Sequence, residues 1–327
     1  MLDEVSIFMI PQFPQFKKIE LTDKDDVEKF TKKYPPYSDF NFVSMWSWNI
    51  QGEMRLSILN ENLVVHFTNY LTGKLFYSFL GDKKVDETTS TLINFSMDKG
   101  LKPRLYLIPE IVADKLDINK FIIKEDRDNF DYIYDINLIS ELKGATFSDK
   151  RNRVNSFVKK FPNIRIENLD FKNPTTEIDI LKLDAEWLKD KIKKDINYKF
   201  NINESMAIDS FFKSKLKNII GVGIYDDKIL VGYSIFETLP NGYSICHFCK
   251  AKTHFNSIYD YLVKESAKIL RSKGFSLLNY EQDLGIPGLR HAKNSFRPIN
   301  FLKKFTCTNK YRLYTYNHHE KAESVKK

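Results

Sequence analysis

Glu281 and Asp283 stand at the end of the hydrophobic run "FSLLNYE", and a cationic segment carrying Arg290, Lys293 and Arg297 follows within a few residues. A carboxylate at a strand end can take a proton from an amine or hydroxyl, or orient an amine for attack. With Gln282 between them, the two acids share one side if the strand continues. Gly285 and Gly288 allow a backbone turn. Pro287 suits the first position of a helix on which Arg290 and Lys293 lie one turn apart. Between 284 and 319 there is no Asp or Glu, while Lys303, Lys304, Lys310 and Arg312 add further cations. Such a segment fits phosphate binding beside an acid–base pair. A salt-bridge knot that pins the last helix is the competing reading.

A second group is Lys150, Arg151 and Arg153 at the start of a helical pattern. A helix start offers free N–H groups and the positive dipole end, both suited to an anion. Three cations there oppose the dipole, which points to a ligand. The alternative is a solvated basic face through Arg151, Asn155 and Lys159. Cys246 and Cys249 form a CxxC around His247, but "GYSICHFCKA" alternates like a strand, which puts the two thiols on opposite faces. No second pair completes a zinc set, so neither a metal nor a redox role is expected. His247 reads as a packed or surface residue. Phosphate-loop, GxGxxG, HExxH and GxSxG signatures are absent.

The elements that must position these residues fall into two parts. At 327 residues, 42% hydrophobic and 14% aromatic, the chain can build two domains with their own cores. The first part reads as helices at 24–33 and after Pro36, strands "MRLSIL", "NLVVHFT" and "KLFYSFL", a helix at 86–99, then strands "RLYLI" and "FDYIYDI". The seam is "LISELKGATFSDKRNRVNSFVKK". Ser148 there can cap a helix whose apolar face is Val154, Phe157, Val158 and Phe161. The second part reads as strand "IRIENL", helices at 175–194 and 204–217, strands "IIGVGIY", "ILVGYSIFE" and "YSICHFCKA", a helix at 257–273, strand "FSLLNYE" and a closing strand "YRLYTY". Residues 1–140 and 141–317 are the expected domains, with a polar tail at 318–327. A net charge of +8 favours anionic partners. Three cysteines and the lack of a signal peptide or apolar span point to a cytoplasmic protein.

Three stretches, "YPPYSDFNFVSMWSWN", "SDKRNRVNSFVKKFP" and "NYEQDLGIPGLRHAKNSFRP", together resemble the signatures of a bacterial family of unknown function named for the C-terminal domain of phosphatidylglycerol lysyltransferase. The resemblance covers about 25–316. It implies an α+β chain of two tandem GNAT-like (acyl-CoA N-acyltransferase) domains, each a mixed, mostly antiparallel sheet flanked by helices. It also implies transfer of an aminoacyl or acyl group from a phosphate-bearing donor, tRNA or CoA, to a small-molecule, peptide or lipid-headgroup amine or hydroxyl. No further cofactor is implied. Acetyl-CoA users of this fold carry a glycine-rich loop where this chain reads "KTHFNSIYDYL", so aminoacyl-tRNA is favoured over acyl-CoA as co-substrate. The family often has a Glu where this chain has Cys249. On this view Glu281 and Asp283 are the catalytic candidates, Arg290 and Lys293 bind donor or acceptor phosphate, and Lys150, Arg151 and Arg153 form a second anion site. The alternatives are a non-catalytic binder of RNA or acidic headgroups, and a purely structural role for the charged motifs.

Overall fold

A computed structural model of the chain describes residues 10–69, 72–194 and 200–312. It divides into two compact units, 1–130 with 302–327 and 131–301. The first holds β1 (Lys17–Lys18), α1 (Lys24–Thr31), α2 (Phe42–Ser47), β2 (Arg55–Leu59), β3 (Asn62–Thr68), β4 (Leu75–Leu80), α3 (Val85–Asp98), β5 (Arg104–Pro109), α4 (Glu110–Ala113) and β6 (Phe121–Glu125). The second begins with β7 (Asp131–Asp135), α5 (Ile136–Glu141), α6 (Ser148–Lys160), β8 (Ile164–Leu169), α7 (Pro174–Lys194) and α8 (Phe200–Ser214). It continues with β9 (Ile219–Asp226), β10 (Ile229–Thr238), β11 (Tyr243–Ala251), α9 (Ile258–Ser272), β12 (Leu277–Asn279), α10 (Pro287–Asn294) and β13 (Asn300–Leu302). β14 (Lys304–Asn309) closes the described chain.

The meander strands form because apolar and β-branched residues alternate between tight turns. Asn60 and Glu61 both take positive φ, 51° and 63°, which lets two residues join β2 to β3. In the first unit β1-β2-β3-β4 make one sheet and β5-β14-β6 another. Its core packs Val64, Phe79, Leu92, Ile93, Leu105, Ile108 and Phe121. In the second unit a single sheet runs β13-β7-β12-β11-β10-β9-β8, with a core that includes Tyr132, Phe157, Val222, Phe236, Leu262 and Leu270.

Each unit thus receives an interior strand from beyond the expected boundary. β14 lies antiparallel between β5 and β6, and β7 lies antiparallel beside β12. The expected division at 140 separates "FDYIYDI" from the sheet it completes, because that strand pairs Tyr134 with Leu278. The expected closing strand at 311–316 falls mostly outside the described residues, as does the tail at 318–327. Tyr311 and Arg312 are helical. The observed last strand is β14.

Two local expectations change. Ser148 is the first residue of α6 and not its cap; Phe147 holds the cap position and makes no side-chain cap bond. Val154 and Phe157 on that helix are buried, whereas Val158 is 48% exposed, so the apolar face is narrower than the spacing suggested.

Lys304 of β14 is 1% exposed and ion-pairs with Asp39, while its Nζ donates to Ser38 Oγ at 3.3 Å. A buried ammonium needs such a partner, because desolvation without one costs several kcal/mol, on the order of 3–5 when a pair is broken. The first motif therefore holds the last strand.

Candidate functional site

β11 and β12 run parallel and pair only through Tyr243, Ser244 and Ile245 with Leu277, Leu278 and Asn279. Beyond that point they part. β11 continues along β10 to Ala251, while the chain after Asn279 is drawn to β7: Tyr280 N–H donates to the Tyr132 carbonyl at 2.9 Å. Glu281 takes φ 53°, so the strand does not continue. The two acids consequently do not share a side as expected.

Glu281 turns to His247. Its carboxylate lies 3.3 Å from His247 Nδ1, and Glu237 of β10 lies 3.4 Å from Nε2. Glu237 and His247 side chains are each 2% exposed and that of Glu281 is 19%. Burial alone would lower the imidazole, but the two carboxylates raise it to about 9. His247 is thus a buried imidazolium, donating from both ring nitrogens, with one reachable carboxylate beside it.

A bulge makes this possible. Ile235 pairs with Phe248 and Phe236 with Cys246, leaving His247 as the extra residue of β11. The extra residue also shifts the alternation. Cys246 and Cys249 therefore come to one face and hydrogen-bond each other, against the expected opposite faces. Burial pushes the Cys246 thiol well up, and hydrogen bonds donated by Cys246 and by the Tyr280 hydroxyl bring Cys249 down.

Asp283 is fully buried and forks onto Arg290, at 2.9 Å to Nε and 2.7 Å to an Nη. Tyr132 Oη donates to it at 2.6 Å and Gly285 N–H at 2.9 Å. Burial would raise this carboxyl, yet these donors hold it at about 2. Lys293, one turn along α10, points inward and donates to the carbonyls of Tyr280 at 2.5 Å and Gln282 at 2.6 Å. Burial lowers it to about 8.

At α6, Lys150 pairs with Asp260 of α9 at 2.5 Å and sits 3.9 Å from the Phe296 ring centre. Burial lowers its ammonium, partly offset by Asp260. Arg151 donates to the carbonyls of Leu142 and, at 2.6 Å, Gly144. Arg153 lies 3.7 Å from Asp260 with its side chain 60% exposed. The two predicted cation groups are thus brought together through Phe296, whose N–H bonds the Lys293 carbonyl at 3.2 Å. Most of these cations serve internal partners.

On the α7–α8 side of the same sheet lies a group the sequence reading missed. Tyr233 Oη donates to Asp184 at 2.7 Å, and burial raises that carboxyl to about 6. Lys250, opposite Tyr233, reaches Glu204 at 2.5 Å and sits 3.5 Å from the Trp187 ring centre. Trp187 Nε1 bonds Tyr259 Oη at 3.2 Å. These residues come from α7, α8, α9 and two strands, so no sequence spacing announces them. Among the described residues no three His, Cys, Asp or Glu side chains converge as a metal set would. No described helix is long and apolar enough to cross a membrane.

A conserved protein of unknown function from Bacteroides thetaiotaomicron is similar in structure, with TM-score 0.78 and 26% identity over 92% of this chain and 100% of that one. The C-terminal domain of a putative lysylphosphatidylglycerol synthetase from Agrobacterium fabrum superposes with TM-score 0.60 at 11% identity, covering 88% of this chain and 92% of that one. L-PGS from Bacillus licheniformis gives TM-score 0.57 at 14% identity, with the same coverage of 88% and 92%. No curated protein matches the chain. The fold is the expected α+β one, with mostly antiparallel sheets flanked by helices. The family described as phosphatidylglycerol lysyltransferase, C-terminal, matches residues 31–308, and the chain belongs to it.

Proposed function

We propose that this protein transfers an aminoacyl or acyl group from a phosphate-bearing donor to an amine or hydroxyl, with aminoacyl-tRNA favoured over acyl-CoA. The observation that carries the reading is the Glu237–His247–Glu281 line, placed where β11 and β12 part. In this reading the acceptor attacks the ester carbonyl carbon, Glu281 takes the acceptor's proton, and the same proton goes to the leaving oxygen as the ester bond breaks. His247 positions Glu281, its Nδ1 lying 3.3 Å from the carboxylate. Asp283 positions α10 through Arg290 and does not meet substrate. Arg290 and Arg153, with 34% and 60% of their side chains exposed, are the cations proposed to meet donor phosphate. Lys150, Arg151 and Lys293 hold that surface in place. The α9 start lacks the glycine loop that would cradle a pyrophosphate, and Ser257 there takes φ 68°, which supports tRNA over CoA.

The test is transfer from labelled aminoacyl-tRNA and acyl-CoA pools to amine, peptide and lipid-headgroup acceptors. Glu281→Gln should lower kcat about 10²–10⁴-fold in the folded fraction. Asp283→Asn should cost about 2–3 kcal/mol of stability with a far smaller effect on kcat in the folded fraction. Undiminished turnover in Glu281→Gln, or no transfer from any donor, would sink this assignment.

A further inference from the structure

Lys250 is buried, with its ammonium between the Glu204 carboxylate at 2.5 Å and the face of Trp187 at 3.5 Å. Asp184, 4% exposed and bonded to Tyr233, lies on the same side of the sheet and its charge acts on Lys250. Two carboxylates, an indole face and a phenol are the set that holds an alkylammonium group: charge, a hydrogen-bond acceptor and a π surface. The protein supplies that ammonium itself.

The box shares its surface with the proposed reaction centre. Tyr233, Ile235 and Glu237 alternate to one face of β10, so Tyr233 of the box and Glu237 of the His247 line point the same way. They are four residues apart, roughly 13 Å along the strand. Trp187 also lines a shallow surface depression with Asp190, Lys191 and Thr253.

We infer that Lys250 is a built-in cation that fills an ammonium-binding box, so that the acyl or aminoacyl group taken on this face carries no positive charge in its side chain. The selectivity part rests on the transferase reading; the box does not. With Lys250 present a second ammonium meets a like charge and finds Glu204 already engaged. A neutral or acidic side chain meets neither obstacle.

The experiment is chemical rescue. Lys250→Ala removes the ammonium and its four-carbon stem, and n-butylammonium chloride replaces both, with tetramethylammonium chloride as the salt control. Lys250→Ala should bind n-butylammonium at least about tenfold more tightly than the wild type and gain melting temperature in proportion. Adding Glu204→Gln should abolish the gain. If Lys250→Ala does not fold alone, its refolding yield with and without n-butylammonium gives the same answer, and Lys250→Met provides a filled, uncharged control. Equal binding by wild type and Lys250→Ala, or no rescue of binding or refolding, overturns the box. In transfer assays the wild type should prefer leucyl or glutamyl over lysyl donors by at least about tenfold in kcat/KM, and Lys250→Ala should narrow that ratio. A lysyl preference in the wild type overturns the selectivity. Absence of transfer from every donor counts against the transferase reading and leaves the rescue result to decide the box.

Discussion

At the residue scale, the consequence of enclosing an imidazolium is a pH dependence. His247 is raised from its ordinary 6.5 to about 9 by Glu237 and Glu281. Its protonated form is therefore favoured by folding. The associated stability is complete below about 6.5 and is lost as pH rises through about 9, an effect on the order of 3 kcal/mol. Denaturant melts of the wild type and His247→Asn between pH 6 and 10 should differ by that decline, because the opposite contribution of Lys293, lowered to about 8, is common to both. A decline of equal size in the variant would place its origin elsewhere. His247 was passed over in the sequence because a single histidine inside a strand carries no mark of its partners. Glu281 was legible as a strand-end acid; its partner was not.

At the element scale, the bulge in β11 decides which side chains meet. Strict alternation assigns Cys246 and Cys249 to opposite faces, yet one inserted residue unites them and aims His247 at Glu237. Thiol reactivity follows from this arrangement. Cys249 is partly exposed and its thiol is brought down by a hydrogen bond from Cys246, whereas burial pushes Cys246 well up and Cys307 to about 12. Native labelling with iodoacetamide should modify Cys249 at least about tenfold faster than the other two, since the thiolate is the reactive form. Faster labelling of Cys246 would contradict the observed face. The periodicity of α9 and the Pro287 start of α10 were readable because they are local; the bulge depends on pairing with β10.

At the scale of the whole molecule, two of the three sheets among the described residues are completed by strands far from their neighbours in sequence. β14 is the central strand of β5-β14-β6, and Cys307 within it belongs to the first unit's core. Truncation after residue 302 would leave β5 and β6 without their shared partner and bare two strand edges. The truncated chain should show loss of hydrogen-exchange protection in β5 and β6 and should aggregate, while protection in β9–β11 persists. Full protection of β5 and β6 without β14 would refute the dependence. A chain cut at 140 would likewise strand β7 away from β12.

The sequence by itself determined most of the helices, the meander strands, the two-part plan and the three motifs, because periodicity and turn residues act within a few residues. It also placed Arg290 and Lys293 on α10. Tertiary structure alone decided what those charges do. Ion pairs such as Asp283–Arg290, Lys150–Asp260 and Lys304–Asp39 and boxes such as Lys250–Glu204–Trp187 form between elements brought together by folding. Burial then gives such pairs their strength, since a charge removed from water is stable only beside the partner the fold provides.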